Sequence, residues 1–248
     1  MNVIGIIPAR FASSRFPGKM LAEIHGKTML RRVYEQCLKS KLLNRVIIAT
    51  DDERIRANCE LFSAEVIMTS QDHPSGTDRC YEAFQKINQP YDFIINIQGD
   101  EPFIRPEQID MLISGLKSNT ELSTLIKKID NNEILFGVGN VKVTFNTKNE
   151  ALYFSRSVIP FLRNFSKDEW LENHDYYEHV GLYAYRADIL KLISTLQTSK
   201  LEVAESLEQL RWLENGYKIE VLETPYDSFC VETPEDLITA EKLFQQLL

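Results

Sequence analysis

The chain has 248 residues, 44% of them hydrophobic, and a formal net charge of −8 at pH 7. That length suits one large α/β domain, with or without a smaller insert, and the acidic balance argues against a broad electrostatic contact with nucleic acid. No apolar run reaches the roughly 20 residues that span a bilayer.

The opening "MNVIGIIPAR" is one strand long and lacks the charged, apolar and small-residue regions of a signal peptide, so cytoplasmic residence is the expectation. The cysteines, Cys37, Cys59, Cys80 and Cys230, are far apart and form no CxxC pair. They read as buried or half-buried thiols rather than a zinc knuckle or redox dithiol.

"NVIGIIP" (2–8) reads as a buried strand and "KTMLRRVYEQCLKS" (27–40) as an amphipathic helix. "RVIIAT" (45–50) is a second strand, and "DDERIRANCELF" (51–62) is a helix whose leading acids suit its N-terminus. "EVIMT" is a short third strand, Ser75 to Lys86 a third helix, and "YDFIINIQ" (91–98) a fourth strand. "RPEQIDMLISGLKS" (105–118) is a helix with Pro106 near its first turn. Such alternation builds βαβ units and a mostly parallel sheet with helices on its faces.

The second half changes character. "LSTLIKKI" and "VKVTF" read as strands, "NTKNE" as a hairpin-type turn before "ALYF", and "YYEHVGLYAYR" (176–186) as an aromatic-rich alternating segment. "LEVAESLEQLRWLENG" (201–216) reads as a helix ending on glycine. "YKIEVLET" is a last strand, followed by "TPEDLITAEKLFQQLL", a helix capped by Thr233 with Pro234 at its first position. The expectation is one α/β domain, 1–248, carrying an inserted aromatic-rich subdomain at about 145–215.

Ligands of parallel sheets sit beyond the carboxyl ends of the strands, and three loops there are unusual. "IIPARFASSRFPGKML" (6–21) carries Arg10, Arg15 and Lys19 but only one glycine, Gly18. A GxGxxG loop brings backbone to phosphate; here side chains from several points must converge, with Ser13 and Ser14 as added hydroxyl donors. "DHPSGTDR" (72–79) offers small side chains and free N–H groups at a helix start, suited to a base edge or sugar. "QGDEP" (98–102) places Asp100 and Glu101 just past an apolar strand, where magnesium could find oxygen ligands.

Taken together, "IPARFASSRFPGKML", "ATDDERI", "TSQDHPSGTDR", "NIQGDEP", "ALYFSRSVIPF", "HVGLYAYR", "ESLEQLRWLENG" and "TPEDL" resemble the 3-deoxy-manno-octulosonate cytidylyltransferase family nearly end to end. The resemblance implies a Rossmann-like nucleotidyltransferase core and a cytoplasmic homodimer that uses Mg2+. It also implies transfer of CMP from CTP to the sugar acid Kdo, releasing pyrophosphate and feeding lipopolysaccharide synthesis. Alternatives within the same chemistry are an 8-amino Kdo analogue or a sialic acid as acceptor; outside it stands a nucleotide-binding relative that has lost catalysis.

By that likeness Pro8, Ala9, Arg10, Ser13, Arg15, Lys19, His73, Ser75, Gly76, Thr77 and Asp78 bind CTP, with Arg10, Lys19 and Asp100 central to catalysis. Gln98, Arg156, His179, Tyr183, Glu208 and Gln209 surround the sugar acid, and Asp100 is the main metal ligand. One departure stands out. The family typically reads "GVDTPEDL", with the Asp as second metal carboxylate, whereas this chain reads "CVETPEDL" and places Cys230 and the longer Glu232 there.

Overall fold

A computed structural model describes residues 1–13 and 15–246, so Ser14 lies outside the described residues. Cα packing divides the chain into two compact units: Met1–Ser114 with Ser228–Leu248, and Gly115–Asp227. The aromatic-rich stretch at about 145–215 lies inside the second.

The first unit runs β1 (Val3–Ala9), β2 (Glu23–Ile24), β3 (Lys27–Thr28), α1 (Met29–Cys37), β4 (Arg45–Thr50), α2 (Glu53–Glu60), β5 (Val66–Met68), α3 (Gly76–Ile87), β6 (Phe93–Asn96) and α4 (Pro106–Gly115). β1 pairs in parallel with β4 on one side and β6 on the other, and β4 pairs in parallel with β5. Helices cover both faces of such a sheet, which is why β1 is a continuous apolar run rather than an alternating one. Ile4, Ile6 and Ile7 are fully buried, and each contributes about 1.5–3 kcal/mol of transfer free energy.

The second unit contains β7 (Leu122–Lys128), α5 (Asn132–Phe136), β8 (Lys142–Phe145), β9 (Ala151–Ser155), α6 (Trp170–Asn173), β10 (Tyr177–Arg186), α7 (Ala187–Ile193), α8 (Lys200–Glu205), α9 (Gln209–Glu214) and β11 (Ile219–Glu223). Its sheet is mixed: β11 lies parallel to β7, while β10 is antiparallel to β7 and to β8, and β8 to β9. The β8–β9 hairpin turns at Asn149, which adopts a left-handed φ of 59°, with the Asn146 side chain accepting the N–H groups of Lys148 and Glu150.

The expected single helix over 201–216 is two helices. Ser206 adopts a left-handed φ of 54° and breaks the run between α8 and α9. That break releases the Glu205 carbonyl, which accepts Arg156 Nε at 2.8 Å. A tertiary contact has overridden helix propensity.

The chain returns to the first unit through α10 (Pro234–Gln245), where Thr233 caps the helix and Asp236 reaches back to the Thr233 N–H. The cysteines divide: Cys37, Cys59 and Cys80 are buried thiols, whereas Cys230 is exposed, contrary to the expectation for that position. No helix among the described residues is long and apolar enough to cross a membrane.

Candidate active site

At the carboxyl ends of β1 and β6 a cavity of about 260 Å³ opens in the first unit. Pro8, Ala9, Arg10, Ser13, Arg15, Lys19, His73, Ser75, Gly76, Gln98, Asp100 and Glu232 all line it. The three unusual loops, separate in sequence, therefore meet at one place, together with the segment before α10.

Each loop has a local reason for its path. Ser75 caps α3, its hydroxyl accepting the Asp78 N–H at 3.2 Å and donating to Asp78 Oδ2 at 2.7 Å. Gly76 admits close packing against the end of β1, since a Cβ there would stand 3.3 Å from Pro8 Cγ. Thr77 is buried, and neither it nor Asp78 is among the cavity-lining residues; both belong to the helix start. His73 bonds Glu82. Burial opposes ionisation of Glu82, but Lys86, the Ser70 N–H and His73 outweigh it and bring its carboxyl down to about 2.

Charges pair across the cavity. Lys19 Nζ donates to Asp100 Oδ2 at 2.5 Å and to the Val231 carbonyl at 3.2 Å, while Arg15 pairs with Glu232 at the rim. Backbone fixes the same junction: the Val231 N–H donates to the Asp100 carbonyl at 2.9 Å, and the Glu232 N–H to Asp236 Oδ2 at 3.0 Å. Glu101 turns inward and is only 7% exposed. Burial, then the adjacent Asp100, push its carboxyl up to about 7 against a hydrogen bond from Ser228.

Arg79 lines the cavity without having been singled out from sequence. It is 3% exposed and is held by Asp51 at 2.8 Å and Thr69 Oγ1 at 2.6 Å. Its place in "SGTDR" was visible; its partners, in other loops, were not.

The second unit gathers the remaining candidates. Arg156 is anchored by Nε to the Glu205 carbonyl and by Nη1 to the Val138 carbonyl at 3.2 Å. Thr124 Oγ1 bridges the irregular pairing of β10, lying 3.0 Å from the Val180 carbonyl, 2.8 Å from that of Leu182 and 3.1 Å from His179 Nε2. His179 packs against Phe154 and Tyr183, and burial pulls its imidazole down to about 3, so it is neutral at pH 7. The Tyr183 hydroxyl and Gln209 Nε2 are buried without a hydrogen-bond partner. Glu208 precedes Gln209 at the start of α9, and its charge, after burial and Tyr185, helps push the Tyr183 phenol upward.

A parallel α/β unit with cations and paired carboxylates at its strand ends defines a nucleotide-handling class, and residues 4–219 match the family model described as Cytidylyltransferase. The curated 3-deoxy-manno-octulosonate cytidylyltransferase of Cytophaga hutchinsonii is 53% identical, over 96% of both chains. That of Parabacteroides distasonis is 54% identical over 96% of both. A solved CMP:2-keto-3-deoxy-manno-octonic acid synthetase complexed with CTP superposes with a TM-score of 0.92 at 41% identity, covering both chains fully. The chain belongs to the 3-deoxy-manno-octulosonate cytidylyltransferase family. A Leptospira borgpetersenii cytidylyltransferase, at 18% identity and TM-score 0.65, shares the fold alone.

Proposed function

We propose that this enzyme transfers CMP from CTP to 3-deoxy-D-manno-octulosonate, giving CMP-Kdo and pyrophosphate. The observation that carries the reading is the convergence of Arg10, Ser13, Arg15 and Lys19 on one cavity with Asp100, in a chain of this family. Two anionic reactants must approach each other, so rate enhancement comes chiefly from positioning and charge neutralisation.

In this reading Arg10, Ser13, Arg15 and Lys19 hold the triphosphate, while Pro8, Ala9, His73, Ser75 and Gly76 shape the nucleoside end. The 2-hydroxyl oxygen of Kdo bonds to the α-phosphorus as the bond to the pyrophosphate oxygen breaks, and the hydroxyl proton is given up to water. Thr77 and Asp78 act indirectly, by setting the start of α3. Arg156, His179, Tyr183, Glu208 and Gln209 of the second unit are the candidates for the sugar acid, as is Gln98, which lines the cavity of the first. A fixed guanidinium suits its carboxylate, and the partnerless Tyr183 hydroxyl and Gln209 amide suit its hydroxyl groups. Neutral His179 offers a hydrogen bond without a charge.

Asp100 and Glu232 fit magnesium: both are hard oxygen donors lining the same cavity. Among the described residues no group of three or more His, Cys, Asp or Glu could form an all-protein cage, so water and phosphate oxygens would complete the shell. When bound, the ion would neutralise phosphate charge. Lys19 and Arg15, now paired with the two carboxylates, would then be released toward phosphate.

The homodimer and cytoplasmic residence belong to the same reading. Exposed Leu152 and Phe161, in the "ALYFSRSVIPF" stretch, give the second unit apolar surface suited to a like partner. Light scattering after size exclusion tests the dimer. The activity is tested by pyrophosphate release from CTP with Mg2+ and Kdo, run beside the 8-amino analogue and a sialic acid. No release with Kdo, despite tight CTP binding, overturns the reading; faster release with another acid identifies that acid as the acceptor.

A further inference from the structure

The "ATDDERI" stretch carries charges that the reaction above leaves without a role. Asp52 caps α2, accepting the Arg54 N–H at 2.9 Å. The same carboxylate grips the Arg54 side chain by both arms, Nε at 2.9 Å and Nη2 at 2.6 Å. That fork holds the Asp52 carboxyl below its usual range and fixes the plane of the guanidinium. Arg54 Cζ stands 3.3 Å from the centroid of the Phe11 ring.

Phe11 is the pivot of the first loop. Its carbonyl accepts the N–H groups of Ser13 at 3.0 Å and Gly18 at 2.9 Å. Its ring lies against Gly18, where φ is +74° and a Cβ would come within 3.0 Å of the ring. Phe16 supplies a second anchor by packing on the cluster of Ile24, Met29 and Val231. A loop with one glycine thus takes its shape from one aromatic residue, and that residue is held from outside by the first turn of α2.

We propose that Arg54 is a positioning residue: its stack on Phe11 sets the loop that turns Arg10, Ser13, Arg15 and Lys19 into one cavity. The consequence for catalysis rests on the CTP reading above; the ordering of the loop does not. A loop ordered before nucleotide arrives spares the cost of ordering on binding, so the stack should act on KM and leave kcat alone.

The test compares wild type with Arg54→Ala, Arg54→Lys and Phe11→Tyr. Both Arg54 variants are expected to raise KM for CTP by roughly two- to thirtyfold, the range of an arginine–aromatic stack, with kcat within about twofold. Lysine keeps the charge but loses the planar fork and so does not rescue; Phe11→Tyr keeps the ring and behaves as wild type. Without nucleotide, trypsin should cut after Arg10 and Arg15 faster in both Arg54 variants, at an unchanged melting temperature. Wild-type KM in Arg54→Lys, or equal cleavage rates in Arg54→Ala and wild type, overturns the proposal. Altered cleavage in a protein that does not bind CTP upholds the loop's ordering and overturns the nucleotide reading instead.

Discussion

Lys19 Nζ lies 2.5 Å from Asp100 Oδ2 and 3.2 Å from the Val231 carbonyl, so one ammonium ties the loop after β1 to the loop after β6 and to the segment before α10. Both partners of the ion pair are largely enclosed, with side-chain exposures of 12% and 16%. Removing the cation leaves Asp100 uncompensated and, in the reading proposed above, takes a positive charge from the place where phosphate charge develops. Lys19→Met is therefore expected to lower kcat by roughly 10²–10³-fold. Lys19→Arg should not restore it, because the compact ammonium is replaced by a planar fork. Pyrophosphate release under saturating CTP measures both, and a Lys19→Met enzyme with wild-type kcat would remove Lys19 from the mechanism.

Arg156 gives a prediction confined to the acceptor. Its Nε donates to the Glu205 carbonyl at 2.8 Å and its Nη1 to the Val138 carbonyl at 3.2 Å. These contacts exploit the forked shape of the group as well as its charge. Arg156→Lys should raise KM for Kdo by roughly tenfold or more while leaving KM for CTP unchanged. A matched rise in both constants would mean that the substitution acts through folding and not through the sugar acid.

Four strands of the first unit (β1, β4, β5 and β6) and its caps were legible because local chemistry decides them, whereas the two-residue strands β2 and β3, the latter inside the expected helix over 27–40, were not. β1 is an unbroken apolar run, Ser75 begins α3 with Asp78 three residues on, and Thr233-Pro234 begins α10. The cation-rich loop was legible as a cluster for the same reason, and its Arg10, Arg15 and Lys19 line one cavity. What sequence could not show was pairing at a distance. Arg79 meets Asp51 and Thr69 only in the folded chain. Lys142, fully buried, donates hydrogen bonds from its ammonium to the carbonyls of Gly137 and Asn140. The helix over 201–216 broke at Ser206, where Arg156 takes the Glu205 carbonyl, a demand that no local pattern encodes.

His179 makes the stability of the second unit sensitive to acid. Burial lowers its imidazole from 6.5 to about 3. Between those values the unfolded chain binds a proton that the folded chain refuses, so stability rises with pH through this window. The contribution is complete above about pH 6.5 and is lost as pH falls toward 3. Between pH 7 and pH 5 the loss should be about 1–2 kcal/mol, since only the part of that interval below 6.5 counts. His179→Gln should flatten that part of the profile, whatever its effect at neutral pH. Urea unfolding of both proteins near pH 7 and near pH 5 measures the difference, and parallel profiles would show that His179 does not titrate with folding.

In the reading proposed above, Glu232 is the second carboxylate that would hold magnesium. It stands at the cavity rim paired with Arg15, its backbone fixed by Asp236. Were metal ligation to draw Glu232 away from Arg15, that guanidinium would be freed for phosphate, and metal and nucleotide would bind with mutual support. Glu232→Asp, one methylene shorter, is expected to keep or raise turnover at limiting magnesium. Glu232→Ala should raise the half-saturating magnesium concentration by roughly tenfold or more, the cost of a lost coordinating or supporting group, with kcat recovering as the ion is added. Initial rates over a magnesium titration separate the cases. Equal activity of Glu232→Ala at limiting magnesium would take Glu232 out of the metal site and leave its pairing with Arg15 as its role, which a double-mutant cycle with Arg15→Ala would then detect in CTP binding.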